Sequence, residues 1–246
     1  MRVVRFKLSG KTAFFKKPDV NSYYYFTYGN IHKIALLGIM GSILGYKGYN
    51  QQSRDLKRNV YPEFYEKLKD SKVAIITLNK HGYISKKVQQ FNNSVGYASQ
   101  EKGGNLIVKQ QWLQNPKWLI YVKIDSLTQE FSNMIKRNKA KFLPYLGTND
   151  HFADITEVRE LEINKVDSVD KVDSIFETKY FLIDKYADED ADTPWKYSEY
   201  LPVAIDKELN QYQFSDFTET NMCIDSIDEG VDIYNDKELG KNIYFF

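Results

Sequence analysis

Apolar and polar positions follow several rhythms along this chain. Arg2–Ser9, RVVRFKLS, sets β-branched and aromatic residues between basic ones and predicts a first strand. From Ile31 to about Leu44 the run is apolar throughout, with Ala35, Gly38, Gly41, Ser42 and Gly45 at spacings of three and four. That predicts a helix with Asn30 as its N-cap, lying close against a sheet through its small residues. Each glycine costs such a helix about 1 kcal/mol against alanine, which close packing has to offset. Further on, Pro62–Leu68 predicts a short helix. Lys72–Leu78, Asn105–Leu113 and Lys117–Ile124 predict strands, the last two parted by Asn115-Pro116. Ser126–Asn138 carries Leu127, Phe131, Met134 and Ile135 on one face of an amphipathic helix. The pattern breaks at KFLPYLGTN, residues 141–149, and Phe152–Ile163 alternates like a strand. Residues 10–28 read as a loop, and the polar stretch 79–104, with Gln89, Gln90, Asn92 and Asn93, as a long exposed hairpin.

The order over about the first 160 residues is therefore strand, helix, strand, hairpin, strand, helix, strand. This is the βαββαβ order of a ferredoxin-like fold, the plan of RNA-recognition domains. The expected class is α+β, with a ferredoxin-like core in residues 1–160, a hairpin protruding over about 80–110, and a β-rich region in 161–246. In that region Ile175–Lys185, Tyr200–Asp206, Gln211–Phe217 and Asn242–Phe246 are the candidate strands. The repeated VDSVDKVDS of 166–174 reads as a local low-complexity turn.

Charge changes this picture more than composition does. The 246 residues are 42% hydrophobic and 15% aromatic, enough for a folded core, and their net charge is only +1. Yet Met1–Asn149 holds 25 Lys and Arg against 8 Asp and Glu, a net +17, and Asp150–Phe246 holds 9 against 25, a net −16. A basic half of that size suits a polyanion. The acidic half suits a solvated face or a surface for a basic protein neighbour. No apolar run reaches the ~18 residues of a membrane span, and nothing at the N-terminus reads as a signal peptide. A cytoplasmic protein with no membrane partner is the expectation. Cys223 is the only cysteine, so internal disulfides and Cys-based zinc sites are excluded. His32, His81 and His151 are too scattered for a metal cluster, and no metal or cofactor is expected.

The basic half gathers its chemistry in two places. Lys11, Lys16 and Lys17 precede the rings Tyr23, Tyr24, Tyr25, Phe26 and Tyr28, and His32 and Lys33 open the helix that follows. Cations at a helix N-terminus oppose its dipole, so together with free N–H groups they favour a bound anion such as a phosphate. Rings interleaved with lysines are what unpaired bases need for stacking. The alternative is a strand over Tyr23–Phe26 with alternate rings in the core, and His32 alone fits a cap or packing residue better than a ligand. The second place is the hairpin, where Lys80, Lys86, Lys87, Lys102 and Lys109 face only Glu101. Such a hairpin cannot bury a core of its own, so it either docks on a partner or stays solvated. No P-loop, dinucleotide fingerprint, zinc-protease or nucleophile-elbow motif occurs. Tyr46 with Lys80 and His81 is the one conceivable acid–base set.

These residues in this order resemble a known family. FKLSGKTAFFKKP, then Tyr28 and GNIHKIALLGIMGSILG, is similar to the Cas-five family of CRISPR-associated proteins. The likeness continues through YPEFYEKL, NLIVKQQWLQNPKWLIYV, FLPYLGTNDHFADI and the closing KNIYFF, and its layout looks most like the type I-B branch. The resemblance implies a repeat-associated (RAMP) fold with a hairpin thumb, and a non-catalytic subunit of a type I Cascade complex. Such a subunit caps the 5′ handle of the CRISPR RNA and touches the Cas-seven backbone and Cas-eight large subunits, meeting target DNA only indirectly. One branch of the family cuts precursor RNA without metal, using Tyr, Lys and His. Tyr46 could stand for that Tyr, but Lys80-His81 falls before the hairpin instead of after it. The resemblance adds Tyr145, Gly147 and Asn149 as a loop near the RNA end, with Gly147 letting the backbone approach phosphate.

Overall fold

The computed structural model describes residues 1–19, 24–52, 60–94, 96–97, 100–184 and 193–246. Its elements in chain order are β1 (Arg2–Ser9), β2 (Thr12–Ala13), β3 (Tyr24–Tyr25), α1 (Lys33–Leu44), α2 (Tyr49–Gln52), α3 (Glu63–Leu68) and β4 (Val73–Thr77). There follow β5 (Lys86–Asn92), β6 (Ile107–Gln114), β7 (Lys117–Lys123), α4 (Gln129–Lys136), β8 (Asp154–Glu162) and β9 (Asn164–Val166). The acidic half continues with β10 (Phe176–Glu177), β11 (Phe181–Ile183), β12 (Lys196–Ile205), β13 (Tyr212–Thr220), β14 (Ile224–Ile227), β15 (Ile233–Asp236) and β16 (Lys241–Tyr244).

A four-stranded antiparallel sheet in the order β4-β7-β1-β8 carries the basic half. Trp118–Val122 of β7 are buried in sequence because neighbours cover both edges and both faces of that strand. On one face Val4, Phe6 and Leu8 meet Leu36, Met40 and Phe131 of α1 and α4, and the rings of Phe6 and Phe131 stand 5.9 Å apart. On the other face Val3, Ile76 and Tyr121 meet Ile163, Ile243 and Phe245, next to the small sheet β16-β15-β9. Arg5 points to that second face and pairs with the fully buried Asp236 at 2.5 Å, and the Tyr121 hydroxyl donates to the same carboxylate at 2.9 Å.

Several expectations meet different outcomes. The helix opens at Lys33, and His32, not Asn30, is its N-cap: the His32 Nδ1 accepts from Ala35 N–H. Asn30 instead lies in the core, where its side chain joins Trp118 and Thr77. Of the small helix residues Gly41 makes the close approach, and it packs on α3: a Cβ there would lie 2.5 Å from Phe64 Cβ. Stretch 10–28 is not a plain loop, since β2 and β3 both pair with β6. Stretch 166–174 is a clasp more than a turn. Val172 and Ser174 are buried, Asp173 holds Lys241 and Asn242, and Ser174 holds Tyr244 of β16.

The described buried apolar residues of 161–246 join the core of the basic half. Phe176, Leu201 and Phe217 share one hydrophobic cluster with α1 and β1. The reason is hydrogen bonding along β4: Val73 exchanges backbone bonds with Phe246, and Ile175 N–H donates to Ile75 C=O at 2.8 Å. The acidic half thus covers an edge that the basic half leaves open.

Candidate nucleic-acid interface

β6 organises the site. Its whole length pairs with β5, while β2 and β3 pair at two places on its opposite edge. Directly opposed residues share a face, so Lys87, Gln89 and Phe91 of β5 stand with Trp112, Gln110 and Val108 of β6. Tyr25 is level with Gln110, and Thr12 with Gln114. The result is one sheet face of lysines, amides and rings.

Contacts on this face confirm the register. Trp112 Nε1–H donates to Gln110 Oε1 at 2.8 Å. The Lys87 ammonium lies 5.2 Å from the centre of the Trp112 ring, and the Lys16 ammonium 4.1 Å from that of Tyr25. Such exposed cation–π contacts are worth about 0.5–1 kcal/mol each. The His151 ring stands edge-on to Trp112 at 4.6 Å, with Nδ1 held 2.6 Å from Thr12 Oγ1. Burial lowers the His151 pKa, Asp150 opposing and Lys87 assisting, so the ring is neutral at pH 7. Among the described residues Lys11, Lys16, Lys87, Lys102 and Lys109 form no salt bridge.

The other sequence candidates divide. Lys17 and Lys86 reach the margin of the site beside Glu199, with Lys17 paired to it at 3.2 Å. Burial pulls the Lys86 ammonium below its usual range, Glu199 opposing and Lys17 adding to the shift. Tyr145 and Asn149 are exposed on the loop that carries His151. Tyr23 lies outside the described residues. Three expectations are corrected. Tyr28 and His32 are core residues, 2% and 4% exposed, because their rings pack on one another 5.1 Å apart and His32 also meets Tyr212. Lys33 has Lys72, Asp70 and Glu177 as its charged neighbours, and burial draws its pKa down to about 8. Finally, the segment ahead of α1 is already held by protein groups: Glu199 accepts from Gly29 N–H at 2.8 and 3.1 Å, and His32 Nδ1 accepts from Ala35 N–H in the first turn.

Gly147 also serves another purpose. It has φ +97, and a Cβ there would lie 1.8 Å from the carbonyl oxygen of Phe14, so glycine lets the 142–153 loop dock on its own chain and not on phosphate. That loop leaves Phe142, Leu143 and Phe152 more than 60% exposed. Tyr46 and Lys80-His81 do not meet. Tyr46 follows the C-cap of α1 under the Lys67 ammonium, while His81 lies by Trp195 next to Gly82, which packs on Glu219 and so, through Thr77, reaches Asn30 just ahead of the start of that helix. Twelve residues of helix are ~18 Å long.

The base of the hairpin rests on a buried acid. Glu219 Oε1 accepts from Thr77 N–H at 3.0 Å, Oε2 has no partner among the described residues, and Gly82 packs close by. Burial pushes the Glu219 pKa up to about 8. The folded state therefore binds a proton that the unfolded chain releases near pH 4.5. The stability tied to that proton is whole below pH 4.5 and lost as pH rises to about 8. Glu219→Gln is expected to remove this slope and to stabilise the protein by about 3 kcal/mol at pH 7, with no gain at pH 4. Denaturant melts at the two pH values check it.

No family profile and no curated protein matches the sequence. The fold, however, is shared with CRISPR proteins. A chain of a CRISPR RNA-guided surveillance complex matches 93% of this chain over 93% of its own, with TM-score 0.53 and 11% identity. A CRISPR protein from Archaeoglobus fulgidus matches 99% of this chain over 98% of its own, with TM-score 0.54 and 9% identity. Among the described residues no helix is long and apolar enough to cross a membrane, and no group of three or more His, Cys, Asp or Glu is arranged to hold a metal.

Proposed function

We propose that this chain is a non-catalytic RNA-binding subunit of a type I CRISPR surveillance complex, which seats the 5′ handle of the CRISPR RNA on the β5–β6 sheet. The observation that carries this reading is the face of Lys16, Tyr25, Lys87, Gln89, Gln110 and Trp112, a surface of phosphate and base partners in which, among the described residues, no lysine is paired with a carboxylate. Base stacking on such rings is worth ~1–3 kcal/mol each, more than the lysines now gain there. The likeness to a chain of a surveillance complex supports the setting. So does the sheet order β4-β7-β1-β8 with α1 and α4 on one face, which is ferredoxin-like in our reading. The exposed Phe142, Leu143 and Phe152 suit a protein neighbour, for which the Cas-seven and Cas-eight subunits are the candidates. The distance of Tyr46 from His81 favours binding over cleavage.

Purified protein mixed with end-labelled precursor RNA, without metal, is expected to shift the RNA on a native gel and to leave it intact on a denaturing gel. Cut RNA would make the chain the processing endoribonuclease instead. RNA that is neither shifted nor cut would remove both readings.

A further inference from the structure

Two features of the sheet face recur together. Tyr25 and Trp112 are separated along the sheet by Gln110, and each has a lysine ammonium over its ring. Both lysines come from a neighbouring strand or loop, and neither has a carboxylate among the described residues. A flexible ammonium is a weak occupant of a ring face, and an unpaired base is a stronger one. The indole N–H can only donate, so the Gln110 atom it touches is the carbonyl oxygen. Among the described residues the Gln110 amide N–H groups have no acceptor, so they are available to donate to a base edge.

We propose that Tyr25 and Trp112 are stacking seats for two unpaired RNA bases, that Lys16 and Lys87 are placeholders which leave those rings for the adjoining phosphates, and that Gln110 donates to the edge of a seated base. This rests on the reading of the sheet as an RNA interface, and it adds which residues stack, which carry charge and which reads a base. It also gives the chain a sequence preference, since a donor at Gln110 distinguishes bases by the position of their acceptors.

The test uses the full chain and fluorescein-labelled single-stranded 8-mers of A, C and U, with anisotropy read over a salt series. Trp112→Ala is expected to weaken binding about 10-fold with the salt slope unchanged. Trp112→Phe keeps a π-face and the contact with the His151 loop, and is expected to bind within 3-fold of the unaltered chain while losing RNA-induced tryptophan quenching. Lys87→Ala is expected to reduce the slope of log K against log salt by about 0.7. Gln110→Ala is expected to narrow the differences among the three oligomers. Unchanged affinity in Trp112→Ala, or an unchanged slope in Lys87→Ala, overturns the seating proposal while binding by the unaltered protein leaves the interface standing. No binding by the unaltered protein overturns both.

Discussion

Replacing Lys16, Lys87 and Lys109 together by Glu is expected to weaken RNA binding about 1,000-fold, roughly 4 kcal/mol, at low salt. Lys16 and Lys87 stand on the proposed face and Lys109, opposed to Gln90, on the reverse face of the same thin hairpin, and none is paired with a carboxylate among the described residues. Each contact with a single-stranded phosphate releases counterions, so the three changes remove about 2 from the salt slope and add repulsion besides. Lys17→Glu is a useful contrast. Lys17 already faces Glu199 at 3.2 Å, so its loss is expected to affect RNA binding less and the seat of Gly29 more. Anisotropy over a series from about 50 to about 300 mM salt measures both. Equal affinity for the triple variant and the unaltered chain would remove the interface.

The largest loss of stability is expected from Asp236→Ala, about 3–5 kcal/mol. The substitution leaves the Arg5 guanidinium, 6% exposed, without its buried partner and also strips the acceptor from Tyr121. Glu238 pairs with the other nitrogen at 3.0 Å but is half-exposed and cannot replace it. Replacing Arg5 and Asp236 together by Met and Leu is expected to recover most of the loss, because the cost lies in the unpaired charge more than in the missing pair. Urea unfolding checks the values. It also tests the shared core: one transition is expected, and a separate early transition for the acidic half would contradict it.

The strands and helices of the basic half were legible because each is a single unbroken pattern. Val3, Val4, Phe6 and Leu8 mark β1, and Phe131 and Ile135 mark the buried face of α4. The partners of those elements were less legible. Nothing local in Asp236 or Glu238 announces Arg5, more than 200 positions away. The site was half visible. Lys16, Lys87 and Tyr25 were apparent as residue types, but Trp112 and Gln110 were hidden in a run that also reads as a buried strand. The signal that could have found them is the two-residue period, Lys87-x-Gln89 against Gln110-x-Trp112. Tyr28 misled because a ring beside lysines looks the same in sequence whether it faces solvent or the core, whereas the cap-or-packing reading of His32 holds and its place among the RNA contacts does not.

The position of β1 in its sheet has a consequence for how the chain is made. Val3 pairs with Lys123 on one side and with Leu161 on the other, so neither neighbour exists when β1 leaves the ribosome. At ~5–20 residues per second the first of them arrives roughly 6–24 s later, and the second after that. Throughout this interval β1 and the apolar α1 have no sheet to cover them. The nascent chain is thus a natural client for a ribosome-associated chaperone, whereas the β5–β6 hairpin, with its strands close in sequence, closes as soon as it emerges.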